Sequence, residues 1–144
     1  IKNLKYNVKF DDNSEYSIRA DLSELSYKNG IEIVYMQKVT AIFINENIAQ
    51  FTITANNAIF DNSNYNTNFR NNIKIDYMSH KIFSDKLDLN FTENNVSIYE
   101  NVVYQGLEST IKADNVNINL VTKNTEIFMN NSEKKVLVIS KENN

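Results

Sequence analysis

Apolar and polar residues alternate along most of this chain, which is the pattern of strands buried on one face. The alternation recurs in four similar stretches: YSIRADLSEL (16–25), FTITANNAIF (51–60), KIFSDKLDLNF (81–91) and STIKADNVNINL (109–120). Each stretch has an isoleucine, a small residue two positions later, and then Asp or Asn. A repeated phrase of this kind predicts an internal structural repeat.

The alternation changes phase where each stretch reaches its Asp or Asn. Ile53 and Ala55 precede this point, and Ala58 and Phe60 follow it. Side chains on both sides of such a slip share one face only if the strand absorbs an extra residue, as a β-bulge or a corner does. We therefore predict equivalent corners at Asp21, Asn56, Asp85 and Asp114.

The fold class follows from this repeat. A single strand pair cannot bury its own apolar face, whereas stacked pairs can. The prediction is an all-β, antiparallel domain over residues 1–144: a β-jellyroll or open twisted two-sheet sandwich built from repeated strand pairs, with an open β-solenoid as a variant. The chain has no proline and two glycines, so we interpret its Asn-rich pairs as turns. The stretch DLSELSYK (21–28) also fits one short helical turn.

Composition limits the chemistry. The formal net charge is −3, so no basic field favours nucleic acid as a partner. Without cysteine there is no disulfide framework and no thiolate ligand, and His80 is the single histidine. DDNSE (11–15) and DNSN (61–64) are interpreted as Asx-rich turns, since they lack the glycine and distal glutamate of a calcium loop. We expect no catalytic residues, no metal and no cofactor.

An apolar inner face is the predicted binding feature, with two interpretations open. It is either a filled, dry core or a trough in which the small residues Ala20, Ala55, Ser84 and Ala113 leave room for a ligand. The predicted inward residues are Ile18, Ala20, Ile53, Ala55, Phe60, Phe69, Ile75, Leu87, Leu89, Phe91, Ile98, Ile111, Ala113, Val116, Ile118 and Leu120.

The C-terminal stretch EKKVLVISK (133–141) is a predicted last strand and a candidate partner edge. Val136, Leu137, Val138 and Ile139 form an unbroken apolar run, which is unusual for an edge strand that faces solvent. Either a neighbouring strand and loop bury it, or a partner does.

Taken in order, these motifs resemble a known family. The opening VKFDDNSEYSIRADLSEL (8–25), the repeated I-x-A-D/N units and the closing FMNNSEKKVLV (128–138) are similar to LptC, the periplasmic component of lipopolysaccharide export among the LptA/OstA-like β-jellyroll proteins. The resemblance covers about residues 5–139. Two features depart from it: the usual N-terminal membrane-anchoring helix is missing, and Asn71 and Glu100 stand where many members carry glycine.

The resemblance implies a function and partners. It implies a non-enzymatic periplasmic relay, anchored to the inner membrane by a missing helix, that takes lipopolysaccharide from an inner-membrane ABC transporter and passes it to an LptA-like bridge protein. Acyl chains would lie between splayed sheets, against the inward residues. The alternatives are a soluble LptA-like bridge, or a structural β-solenoid or adhesin segment with a dry core.

Overall fold

The computed structural model describes residues 1–10, 12–45, 48–122, 124–128 and 136–140, with the backbone alone described for 48–49 and 136–140. Ten strands lie in these ranges: β1 (Lys2–Lys9), β2 (Ser14–Lys28), β3 (Ile31–Asn45), β4 (Ile48–Asp61), β5 (Thr67–Tyr77), β6 (His80–Asn90), β7 (Asn95–Gln105), β8 (Thr110–Asn119), β9 (Asn124–Phe128) and β10 (Val136–Ser140).

The described strands form one antiparallel sheet in which each strand pairs with the next in the chain, from β1 to β10. The all-β prediction is therefore confirmed. The helical alternative for residues 21–28 is wrong, because this stretch is the second half of β2 and pairs with β3 from Leu22↔Gln37 to Lys28↔Ile31. Tertiary pairing overrides the weak helical pattern there.

A line of corners crosses β1 to β8, and we call it the corner line. None of the corner residues is paired with a residue of a neighbouring strand. The corner residues are Asn3, Asp21, Lys38, Asn56, Asn71, Asn72, Asp85, Glu100, Asn101 and Asp114. The four predicted corners occupy equivalent places on β2, β4, β6 and β8, so the repeat interpretation is confirmed.

The odd-numbered strands make this corner differently from the even-numbered ones. Their corner residues are left-handed, with φ of 55° at Lys38, 70° at Asn71 and 63° at Glu100. In β5 and β7 two such residues follow one another, and the register shifts on both sides of them, as a β-bulge requires. Asn71 and Glu100 thus have a left-handed backbone, which glycine adopts more readily than other residues.

The corner line divides the sheet into two half-sheets. The first half-sheet contains residues 4–9, 14–20, 39–45, 48–55, 73–77, 80–84, 102–105 and 110–113. The second contains residues 22–28, 31–37, 57–61, 67–70, 86–90, 95–99, 115–119, 124–128 and 136–140.

Side chains from the two half-sheets meet on the inner face. Tyr6 of β1 packs on Phe60 of β4 with ring centroids 4.9 Å apart. Tyr16 of β2 hydrogen bonds to Thr67 of β5. In these two contacts a strand of the first half-sheet meets a strand three places further along the chain, and the core lies between the half-sheets.

Candidate functional site

The inner face contains every residue predicted to point inward. Twelve of the sixteen are buried, and Phe91, Ile111, Ala113 and Leu120 are partly buried against the same core. Their inward placement is confirmed. That they contact a lipid stays a prediction.

Several inward residues are absent from the predicted set, which contains no residue of β3. On β3 the buried residues are Val34 and Met36 before the corner and Val39, Ala41 and Phe43 after it. The signal was present as the same phase slip, at Lys38. The sequence does not predict a corner at this slip, because lysine, unlike Asp or Asn, is not a typical corner residue.

The four small residues of the repeat lie beside the corner line. Ala20 and Ala55 are both directly opposite Val39, and Ser84 and Ala113 occupy the same place on β6 and β8. Each small residue lies opposite a larger buried residue of an odd-numbered strand, which is Val39, Ile73 or Val102. Small and larger side chains therefore alternate along the corner line.

The interior between the half-sheets is apolar and nearly filled. A cavity of about 10 Å³ remains, lined only by apolar side chains from both half-sheets. These are Phe43, Phe51, Ile53 and Ile75 from the first, and Leu87, Leu89, Val96, Ile118 and Leu120 from the second or its ends. A cavity of this size holds at most about one water molecule, so an acyl chain requires the half-sheets to separate.

A buried hydrogen bond joins the half-sheets near the centre of the core. The Tyr16 hydroxyl lies 2.8 Å from Thr67 Oγ1. Thr67 donates its own hydroxyl proton to the Tyr65 carbonyl at 3.1 Å, so Tyr16 is the donor to Thr67. Burial raises the pKa of Tyr16 well above its ordinary value, although the bond to Thr67 opposes this.

A second polar contact joins the half-sheets at the β1 side, and we call it the clasp. The carboxylate of Glu32 accepts from the Tyr6 hydroxyl at 3.1 Å, from the Tyr27 hydroxyl at 3.2 Å and from Asn62 Nδ2 at 2.7 Å. Burial, followed by the bond to Glu32 and its negative charge, raises the pKa of Tyr6 to about 12. Tyr6 is the one member of the clasp that lies on the first half-sheet.

Aromatic rings close the tips of the half-sheets near the clasp. Phe91, which follows β6, packs against Phe10 at 4.7 Å, Tyr16 at 4.9 Å and Phe43 at 5.8 Å between ring centroids. The Phe91 amide donates to Asn66 Oδ1 at 2.8 Å, which fixes the turn that carries the ring. Phe91 therefore bridges the two tips, besides contributing to the predicted inner face.

The residues considered for catalysis or metal binding in the sequence make contacts with their neighbours in the fold. His80 is half-buried, stacks on Tyr77 and hydrogen bonds through Nδ1 to the Tyr104 hydroxyl. Burial raises the pKa of Asp61, but hydrogen bonds from Ser63 and from the Asn64 amide outweigh it and lower that pKa, as in an Asx-turn. Asp11 of DDNSE lies outside the described residues.

Within the described ranges, no three His, Cys, Asp or Glu side chains gather as a metal site would require. On the outer face of the second half-sheet, Arg70 and Tyr99 both bind Asp88. Lys86 forms an ion pair with Glu100 at 2.6 Å beside them. These are exposed cross-strand pairs of a solvated sheet face.

The predicted C-terminal strand forms. Val136 to Ser140 pair antiparallel with β9, from Val136↔Phe128 to Ser140↔Asn124. The side chains of the predicted edge residues Val136 to Ile139 lie outside the described part, so their role at a partner edge stays a prediction. No helix in the described part has the length and hydrophobicity needed to cross a membrane.

Comparison with models of protein families and with curated proteins finds no match for this chain.

Proposed function

We propose that this chain is a non-enzymatic lipid carrier domain that holds acyl chains between its half-sheets. One observation carries the proposal: the inner face is apolar on both half-sheets, and the cavity between them has no polar lining atom. Buried methylenes would supply affinity at about 0.8 kcal/mol each.

The finer fold belongs to the same proposal. We take the half-sheets as the two leaves of a β-jellyroll, or open twisted sandwich, whose leaves separate at their tips and turn about the corner line. The left-handed residues and bulges of that line support this motion, because the interrupted registers leave fewer ladder hydrogen bonds there to resist bending.

The sequence resemblance supports a specific cargo and route. In this proposal the domain is periplasmic, receives lipopolysaccharide from an inner-membrane ABC transporter and passes it to an LptA-like bridge. The acyl chains of lipopolysaccharide match the apolar interior, and its charged sugars would remain outside.

The test of cargo is photo-crosslinking with lipopolysaccharide. A photoreactive amino acid at Leu89 lines the cavity, whereas one at Lys86 on the same strand lies half-exposed on the outer face. We expect capture from Leu89 and little from Lys86. Equal capture from both positions would contradict binding between the half-sheets.

A charge placed on the inner face gives an independent check. Ala55→Arg puts a guanidinium among buried apolar side chains, where desolvation is costly without a partner. The matched control is Asn57→Arg, two residues along β4 on the exposed face. Capture from Leu89 should fall for Ala55→Arg and persist for Asn57→Arg, with folding of both variants followed by circular dichroism.

The test of relay concerns β10. Strand addition to a sheet edge uses main-chain hydrogen bonds, so Val138→Pro should weaken co-purification with an LptA-like bridge protein more than Val138→Ala does. If both variants bind like the parent while folded and monodisperse, this edge is not the docking surface.

A second candidate is a structural β-solenoid segment with a dry core. The small size of the cavity favours it, because the interior is already filled. Lipid uptake decides between the two: a dry solenoid takes up no acyl chain under conditions where a carrier does.

A further inference from the structure

The two ends of the interior are fastened differently. At the β1 side, three contacts join the two half-sheets. They are the clasp, the packing of Tyr6 on Phe60 and the packing of Phe10 on Phe91. Toward β8, apolar side chains of both half-sheets face each other around the cavity, and the tips there carry exposed Leu107 and Val121. Directional hydrogen bonds across the interior are thus found at the centre and on the β1 side.

β1 is joined to the second half-sheet at its start, where Ile1 and Lys2 pair with Ser23 and Leu22 of β2, and further along by its side chains. Its inward side chains Leu4, Tyr6 and Val8 are only partly buried, although they pack against the core. Directly beneath Tyr6 lies Phe60, which is fully buried. A displacement of β1 that breaks the Tyr6–Glu32 bond would therefore uncover an apolar surface at once.

We propose that the Tyr6–Glu32 bond of the clasp sets how readily β1 separates from the second half-sheet, and that acyl chains enter the interior through this opening beside Phe60. The inference rests on the proposed function for the identity of the cargo, whereas the opening itself does not depend on it. Glu32 is anchored on the second half-sheet by Asn62 and Tyr27, so its carboxylate stays in place when Tyr6 leaves.

A matched pair of variants isolates this bond. Tyr6→Phe removes the hydroxyl that crosses between the half-sheets and keeps the ring on Phe60. Tyr27→Phe removes a hydroxyl that donates to the same carboxylate, but Tyr27 and Glu32 both lie on the second half-sheet. Only the first change should raise the open population, by roughly tenfold to a hundredfold for one hydrogen bond to a charged group.

The opening is measured directly because the chain has no cysteine. Spin labels at Lys5→Cys on β1 and Asn68→Cys on β5 occupy exposed positions on opposite half-sheets. Pulsed electron resonance should show a longer and broader distance distribution for Tyr6→Phe than for the parent or Tyr27→Phe. Identical distributions for all three would overturn the inference.

Access is measured with a fluorescent long-chain fatty acid on the same proteins. Uptake should be faster for Tyr6→Phe than for the parent or Tyr27→Phe. Equal uptake by all three would overturn entry at the β1 side. If the probe binds none of the proteins, the proposed function fails, and the distance measurement still decides whether the clasp controls opening.

Discussion

At the scale of single residues, hydroxyl groups on tyrosines connect the two half-sheets. Tyr16 and Tyr6 each present a ring to Phe60 and a hydroxyl to a partner on the opposite half-sheet. An aromatic residue with a polar tip suits this place, since its ring fills the core and its hydroxyl fixes the distance between the layers.

Tyr16→Phe should lower the free energy of unfolding by about 1–2 kcal/mol. The change leaves packing almost intact but removes the buried bond to Thr67, at the cost typical of one such bond. Urea unfolding checks this, with Tyr27→Phe as the control at an exposed ring. A loss no greater than that of the control would show that the buried bond contributes little.

Alkaline pH should destabilise the protein partly through Tyr6. Its pKa rises from the ordinary 10.0 in the unfolded chain to about 12 in the fold. Both states are protonated below pH 10. Above it the unfolded state loses the proton first, so the free energy of unfolding falls between pH 10 and about 12.

Tyr6→Phe removes this titrating group. The free energy of unfolding of this variant should therefore fall less steeply with pH than that of the parent between pH 10 and about 12. Chemical denaturation at closely spaced pH values measures the slopes. Equal slopes would contradict a Tyr6 hydroxyl held against Glu32.

At the scale of strands, the corner line depends on two kinds of residue. The even-numbered strands turn at Asp or Asn, and the odd-numbered strands turn at left-handed residues such as Lys38 and Asn72. Left-handed backbone costs an ordinary L-residue roughly 1–2 kcal/mol, and asparagine tolerates it better than most.

Asn72→Val should therefore destabilise the protein by roughly 1–2 kcal/mol, because a β-branched side chain fits a positive φ poorly. Asn57→Val is the matched control, since Asn57 is an exposed asparagine near the corner of the neighbouring strand without a positive φ. Thermal unfolding compares the two, and equal losses would show that the backbone at Asn72 is not strained by valine.

The sequence predicts the corners on the even-numbered strands but not those on the odd-numbered strands. Asp21, Asn56, Asp85 and Asp114 are recognisable because each follows a small residue in a repeated phrase. Lys38 and Glu100 are not, since neither residue type indicates a left-handed backbone. The same limit applies to the site: alternation predicts which side chains point inward, but it does not predict which of them meet across the half-sheets, as Tyr6 and Glu32 do.

At the scale of the whole molecule, the interior is a narrow apolar layer that runs across the strands. Its width is set by residues of both half-sheets, from Phe43 and Ile53 on one side to Leu87 and Ile118 on the other. A ligand lying along this layer would cross successive strands, and each strand would offer it a similar pair of apolar residues.

Filling the cavity gives a prediction at this scale. Val96→Leu adds one methylene beside a space of about 10 Å³. We expect little change in stability, within about 1 kcal/mol, but slower uptake of a fluorescent fatty acid if acyl chains pass this point. Uptake equal to that of the parent, together with normal unfolding, would place the lipid path elsewhere.

The order of the strands has a mechanical consequence. Every described strand pairs through backbone hydrogen bonds only with its neighbours in the chain, so a force applied at the two ends meets these ladders one after another. The outermost strand can be peeled away while those behind it keep their pairing, since no described strand from elsewhere in the chain is inserted between them. Stretched in an optical trap, the molecule should lengthen in a series of small steps, each releasing about one strand or one hairpin. The cross-layer bonds of Tyr6 and Tyr16 should delay the steps in which β1 and β2 come away.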